Sequence, residues 1–295
     1  MSTAPWTVGR LLQWTSGYLK EHGSESPRLD AEVLLAHVLQ CQRIMLYTRF
    51  EEEPDEAVRG AYRGLVKQRA EGKPVAYLVG RREFYSLDFA VTPDVLIPRP
   101  ETEFLVVGLL DAVKARPGGA AGELKIADVG TGSGILAIVA ALKLPKARVT
   151  AVDRSRGALE VARGNAAAHQ VNDRIEFIES DLFAAVPADR RFDFIVSNPP
   201  YITTAEMAAL ARDVREFEPQ SALEAGPRGT EVIERLVPQA AERLSGGGQL
   251  FIEISPQLHD AVRKIIAAES RLDDLPTIDD HGRRPRVVVA RRRAS

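Results

Sequence analysis

Lys125-Ile126-Ala127-Asp128-Val129-Gly130-Thr131-Gly132-Ser133-Gly134 runs from an apolar stretch into three alternating glycines, and the apolar segment Ile135 to Leu144 follows at once. The pattern predicts a strand over 125–129, a turn, and a helix over 134–144. Glycines in such a turn tolerate positive φ and let the backbone approach a ligand with no Cβ in the way. The helix start beyond them offers free N–H groups and a positive dipole end. Alone, the glycines also fit a plain strand-to-helix connection. Asp153 adds a second feature, because it ends the next predicted strand 19 residues after Gly134, where an acidic side chain accepts hydrogen bonds from ribose hydroxyls. Ile135 stands where a dinucleotide fingerprint places its third glycine, which argues for a ribose-bearing ligand other than NAD. No lysine follows the glycines, so a triphosphate loop is excluded. Asp181, after the third strand, is placed either to reach an adenine amine or to cap the following segment.

Working outward, strand and helix patterns alternate across the C-terminal two thirds of the chain. Strands are predicted at 148–152, 174–178, 192–197, 249–254 and 286–290, with helices at 157–169, 231–244 and 257–268. That order implies an α/β fold with a mainly parallel sheet covered on both faces, and a ligand beyond the carboxyl ends of its strands. Residues 1–83 read instead as a small all-helical domain. Val8, Leu11, Leu12 and Thr15, then Leu29, Val33, Leu34, Val38 and Leu39, then Val58, Tyr62, Leu65 and Val66 recur at helical spacing. Residues 84–98 read as a hairpin linker turning at Tyr85-Ser86, and 99–295 as the second domain. Residues 111–123, with Arg116-Pro117-Gly118-Gly119, read as a surface loop. The closing Arg291-Arg292-Arg293 reads as a solvated tail.

With 295 residues, 27% charged and 45% hydrophobic, the chain has the composition of a folded globular protein. Lys and Arg number 39 against 41 Asp and Glu, so no overall basic surface draws it to nucleic acid. The single cysteine, Cys41, leaves no intrachain disulfide and fits a reducing, cytoplasmic setting. The most apolar run, 135–142, falls short of the roughly 20 residues a membrane helix needs. The scattered histidines lack metal-ligand spacing, and no metal site is expected.

Ser197-Asn198-Pro199-Pro200-Tyr201 directly follows the apolar strand 192–196. Consecutive prolines stiffen the backbone and fix the direction of its carbonyls. Asn198 offers a side-chain oxygen and Pro199 a backbone carbonyl, two acceptors suited to the two protons of a planar NH2 group. Tyr201 is placed to stack on a flat acceptor. A proline-stiffened loop with a buried tyrosine is the competing reading of the same residues.

Together with Gly80-Arg81-Arg82-Glu83-Phe84-Tyr85, Leu96-Ile97-Pro98-Arg99-Pro100-Glu101-Thr102-Glu103, Asp213-Val214-Arg215 and Phe217-Glu218-Pro219, these motifs make the chain resemble the bacterial release-factor glutamine methyltransferases of the HemK/PrmC type over nearly its whole length. Residues 97–103 are the most specific part. The resemblance implies a Rossmann-like class I methyltransferase domain with a seven-stranded, mostly parallel sheet, preceded by a helical domain that helps hold the release factor. It implies S-adenosyl-L-methionine as cofactor and, as substrate, the glutamine of the Gly-Gly-Gln loop of peptide chain release factors. Carried onto this sequence, Gly130, Thr131, Gly132, Ser133, Gly134, Asp153, Asp181, Leu182 and Asn198 would serve the cofactor. Asn198, Pro199, Pro200 and Tyr201 would serve the glutamine, with Asn198, Pro199 and Tyr201 closest to the chemistry, and Arg99 to Thr102 would close over the methionine end. Leu182 replaces a frequent aromatic residue and Ser255 an expected glycine. A sister enzyme acting on a ribosomal-protein glutamine shares every chemical motif, and a DNA adenine or rRNA amino-group methyltransferase shares the acceptor motif. Neither a membrane nor direct nucleic-acid binding is expected.

Overall fold

The computed structural model describes residues 5–116 and 119–294, which form two compact units. Among the described residues, the first comprises 5–81 together with 211–217, and the second comprises 82–116, 119–210 and 218–294. Pro117 and Gly118 of the predicted loop lie outside the described residues.

In the first unit, α1 (Val8–Glu21), α2 (Pro27–Val38), α3 (Met45–Thr48), α4 (Glu56–Ala70) and α5 (Val75–Val79) enclose a core that includes Leu12, Leu34, Leu35, Leu46 and Tyr62. The Asp55 side chain caps α4 by accepting from Val58 N at 2.8 Å, satisfying one of the donors a helix start leaves free. Leu29, expected on the buried face of α2, is 44% exposed; Ala31, Leu34 and Leu35 fill that face instead. Asp30 accepts from Arg69 Nε at 2.7 Å, and Arg69 also faces Asp213 at 3.7 Å. The segment containing Asp213, which sequence patterning assigned to the other domain, thus belongs to the helical unit.

The second unit opens with a hairpin of β1 (Arg81–Phe84) and β2 (Leu87–Ala90). Tyr85 and Ser86 turn it with φ of 53° and 59°, the left-handed pair that matches strand twist in a two-residue loop. Phe84 and Phe89 are buried in the core of this unit. Then follow α6 (Glu103–Ala115), β3 (Leu124–Val129), α7 (Ile135–Lys143), β4 (Ala147–Asp153), α8 (Arg156–Ala168), β5 (Ile175–Glu179), β6 (Phe192–Ser197), the short strand β7 (Ile202–Thr203), α9 (Arg212–Phe217) in the first unit, the short strand β8 (Glu224–Gly226), α10 (Glu231–Arg243), β9 (Leu244–Glu253), α11 (His259–Ala268), β10 (Leu272–Asp279) and β11 (Pro285–Arg292). The main sheet has seven strands in the order β10-β11-β9-β6-β3-β4-β5. The last five in that order are parallel, and β11 runs antiparallel to both β9 and β10.

The period of two along a strand feeds two cores. Leu124, Ile126, Phe194 and Phe251 point to the layer of α6, α7 and α8. Ala127, Val129, Ile195 and Ile252 point to the layer of α10 and α11. Because both faces are covered, these strands are apolar almost throughout, and burying each large side chain contributes roughly 1.5–3 kcal/mol.

Two expectations are corrected. Residues 111–115 are helical, because α6 carries Leu105, Val106, Leu109 and Val113 against the sheet and ends only at Arg116, whose backbone is extended. Arg291 and Arg292 are strand residues rather than a free tail. Arg291 pairs in register with Asp273, whose carboxylate accepts from Arg293 Nε at 2.9 Å, and Arg292 donates to the Ala241 carbonyl.

Candidate active site

Chain direction reverses around β3: the chain goes to β4 and β5 on one side and returns to β6 on the other. A cavity opens beyond the carboxyl ends of β3, β4 and β6, as this topology favours. Its wall includes Gly130, Thr131, Gly132, Ser133, Asp153, Asp181, Leu182, Asn198, Pro199 and Pro200. Nine sequence-predicted cofactor positions therefore reduce to eight at the cavity, the exception being Gly134.

The glycine loop is held from several directions. Gly130 N and Thr131 N donate to Val152 O at 2.8 and 2.9 Å. Below the loop, Asp128 is fully buried and accepts through Oδ2 from Thr131 Oγ1 at 2.6 Å and Ala137 N at 3.0 Å. Burial pushes its carboxyl up to about 7, against the pull of the Thr131 hydroxyl. Beside the loop, Asp153 accepts from Gly132 N at 2.9 Å and from Ser155 N at 2.9 Å. Burial raises its pKa, while those two N–H groups favour the charged form. A carboxylate has about four acceptor positions, so Asp153 keeps capacity for further donors on the cavity side. A Cβ at Gly132, whose φ is 55°, would meet no protein atom within 4 Å, so the backbone there borders open space on the cavity side.

Gly134 has another use. A Cβ there would stand 3.1 Å from Ala162 Cβ, and its φ is 84°, so this glycine lets α7 start close against α8. Gly134→Ala is expected to destabilise the protein by about 1–3 kcal/mol through left-handed strain and crowding; a urea midpoint equal to wild type would refute this.

Sequence patterning missed Asn165, the polar residue on the otherwise apolar face of α8. It is 3% exposed and ties three pieces together: Nδ2 donates to Ser133 O at 2.8 Å and to Ala90 O at 3.0 Å, and Oδ1 accepts from Ala90 N at 2.8 Å. A buried asparagine among Ala158, Leu159, Ala162 and Ala166 was its only sequence signal.

On the other wall, Ser197 Oγ donates to Val129 O at 2.7 Å, fixing the start of the proline motif to the strand that carries the glycines. Asn198 Nδ2 donates to Thr102 Oγ1 at 3.2 Å, leaving its Oδ1 as the side chain's free acceptor. From the segment 97–103, singled out for its specificity, Pro98, Arg99 and Thr102 line this wall, and the segment is held by Glu218. Its buried carboxylate accepts from Ile97 N at 3.1 Å and pairs with Arg99 at 2.5 Å. Tyr201 is not part of the cavity wall. It is half-buried, and desolvation together with the nearby Glu253 pushes its phenol up to about 12. Gly229, also missed, has φ of 77°, and a Cβ there would come within 2.8 Å of Tyr201 O; only glycine allows that approach. Asp181 reaches the wall with its carboxylate paired to Arg235, and Leu182 beside it has φ of 52°.

A seven-stranded sheet in this order, with a glycine turn after its first parallel strand and an acid at the end of the second, defines a class I methyltransferase. Residues 10–80 match the PrmC N-terminal domain and residues 108–216 the methyltransferase small domain. The Release factor glutamine methyltransferase of Rhodopirellula baltica is 47% identical over 284 residues, covering 96% of each chain. That of Chlorobaculum tepidum is 42% identical over 281 residues, covering 94% of this chain and 95% of its own. This chain belongs to the release factor glutamine methyltransferase family. At the level of fold alone, it resembles the 16S rRNA N2 methyltransferase RsmC of T. thermophilus, solved in complex with AdoMet and guanosine. That likeness has a TM-score of 0.50 and 19% identity over 72% of this chain and 50% of that chain. No helix among the described residues is long and apolar enough to cross a membrane.

Proposed function

We propose that the protein transfers the methyl group of S-adenosyl-L-methionine to the side-chain amide nitrogen of the glutamine in the Gly-Gly-Gln loop of peptide chain release factors, acting in the cytoplasm where those factors work. The family supports this substrate. The observation that carries the chemistry is Asn198: on the wall shared with the glycine loop, its amide nitrogen is tied to Thr102 and its oxygen is left to accept.

The cofactor, when bound, supplies an electrophilic methyl group and a neutral sulfide leaving group. The chain's residues divide the remaining work. Backbone along Gly130 to Ser133 lines the cofactor, with Gly134 setting the helix behind it. Asp153 takes ribose hydroxyls, and Asp181 and Leu182 flank the adenine. An amide nitrogen shares its lone pair with its carbonyl and is a weak nucleophile. Asn198 Oδ1 and Pro199 O, each accepting one N–H, favour the pyramidal nitrogen that develops as the methyl group arrives, before the nitrogen gives up one of its two protons to water and the neutral methylated amide results. Pro200 keeps these acceptors fixed, and Tyr201, half-buried next to them, holds the backbone course of the motif. The first unit holds the release factor so that the loop enters in register.

The test is labelled methyl transfer to purified release factors, a ribosomal-protein fraction and DNA in parallel. Release factor alone should be labelled, at glutamine. Label in a ribosomal protein or in DNA, with release factor unlabelled, would overturn the assignment in favour of the sister enzyme or a nucleic-acid enzyme.

A further inference from the structure

Glu253 ends β9 with 0% exposure, and no described donor meets either carboxylate oxygen in hydrogen-bonding geometry. Burying an unpaired carboxylate is costly, and the nearest cation does not relieve it directly. Arg286 on β11 gives Nη2 to Asp280 at 3.2 Å and Nη1 to Ile254 O at 3.4 Å, while its Nε is buried without a hydrogen-bond partner among the described residues and the cation acts on Glu253 through charge alone. Arg99, the other nearby cation, is paired with Glu218. What stands beside Glu253 is the hydroxyl of Thr102, itself 1% exposed and already accepting from Asn198 Nδ2. A hydroxyl that accepts from one neighbour still has its own proton to donate.

We propose that Glu253 is a positioning residue for the acceptor site: its carboxylate takes the hydroxyl proton of Thr102, so Thr102 must accept from Asn198 Nδ2, and Asn198 Oδ1 is turned toward the acceptor amide. This rests on the reading that Asn198 Oδ1 binds the acceptor NH2. The reasoning is one of polarity. An asparagine amide fits almost equally well in either flip, and a threonine hydroxyl can donate or accept. A carboxylate can only accept, so it fixes the direction of both bonds. A neutral carboxyl group could donate to Thr102 instead. Thr102 would then donate to Asn198 Oδ1, and the amide nitrogen of Asn198 would face the substrate, donor against donor.

Burial raises the Glu253 carboxyl to about 7, opposed by the Thr102 hydroxyl and Arg286, reinforced by Glu101 and opposed again by Arg99. Tyr201, the remaining titratable neighbour, is itself pushed up to about 12 and stays neutral in this range. The direction-setting form is the ionised one, so the single-turnover rate should rise as pH increases through the region near 7.

The test uses the full chain, release factor as substrate and saturating S-adenosylmethionine. Glu253→Gln, which can donate as well as accept, should lower the methyl-transfer rate roughly tenfold, the scale of one oriented hydrogen bond, with cofactor affinity by calorimetry and thermal midpoint close to wild type. Its rising pH limb near 7 should vanish. Thr102→Val should produce the same loss and add nothing to Glu253→Gln in the double variant, since coupled residues are not additive, while Thr102→Ser should recover most of the rate. A Glu253→Gln enzyme that keeps both the wild-type rate and pH limb, or additive losses in the double variant, overturns the relay. If Glu253→Gln does not fold, the Thr102 pair decides: equal rates for Val and Ser overturn the relay. Asn198→Ala, run alongside, separates the two levels. Its inactivity with a normal Glu253→Gln rejects only the relay, whereas a fully active Asn198→Ala rejects the acceptor reading beneath it.

Discussion

Asn198→Ala is expected to slow methyl transfer to a release factor by roughly 10² or more while S-adenosylmethionine binding stays within a few fold of wild type, the effect of removing one preorganised polar partner of a transition state. Asn198 lines the cavity but meets the rest of the protein through Nδ2 and Thr102. Truncation therefore removes the free oxygen and leaves the glycine loop, pinned by Asp128 and Asp153, in place. Asn198→Asp keeps an acceptor but loses the donor to Thr102, so it should fall between alanine and wild type. Single-turnover rates at saturating cofactor separate chemistry from binding. A wild-type rate in Asn198→Ala would end the amide-polarising mechanism and leave the cofactor assignment standing.

Asp153→Ala should act on the other side of the reaction, weakening S-adenosylmethionine binding by about 1.5–3 kcal/mol, or roughly ten- to hundredfold, as expected for losing a charged acceptor of hydroxyl donors. The structure adds a second reason for the loss. Asp153 Oδ2 accepts from Gly132 N and Oδ1 from Ser155 N, so its removal frees the loop as well as the ribose contact. Asp153→Asn retains one acceptor oxygen and should recover part of the affinity. Calorimetry decides, and an unchanged dissociation constant would remove Asp153 from the cofactor site.

How far the sequence could be read depended on whether a residue's neighbours lay close to it in the chain. The parallel strands were plain because both faces of the sheet are covered and the runs are apolar. β10 was not, because Asp273, Asp274 and Pro276 look unlike a strand. They suit an edge, where charge and proline deter further pairing, and Asp274 Oδ2 accepts from Arg263 Nε at 2.7 Å. The glycine loop, Asp153 and Asn198 were legible as local motifs. The groups that orient them were not: Asn165 acts across 75 residues on Ala90, and Glu218 across 121 residues on Ile97. Gly134 shows the opposite limit. Its place in the motif suggested ligand contact, but its φ and its closeness to Ala162 give it to helix packing.

The excursion of the chain at 211–217 bears on how the protein can be taken apart. One cut near Arg82 does not yield two intact pieces, because Asp213 would remain on the larger fragment while its partner Arg69 left with the smaller one. The stranded peptide ends at Phe217, one bond before the Glu218 carboxylate that holds Ile97 and Arg99. The segment left without its partner is thus joined by one bond to a residue that holds part of the cavity wall. Residues 1–81 are in this sense a clasp on a closed chain rather than a removable attachment. Slow methylation by such a fragment would report a loosened clasp as much as a lost grip on the release factor, and point substitutions on the helical surface, which leave the clasp shut, are the cleaner probe of docking.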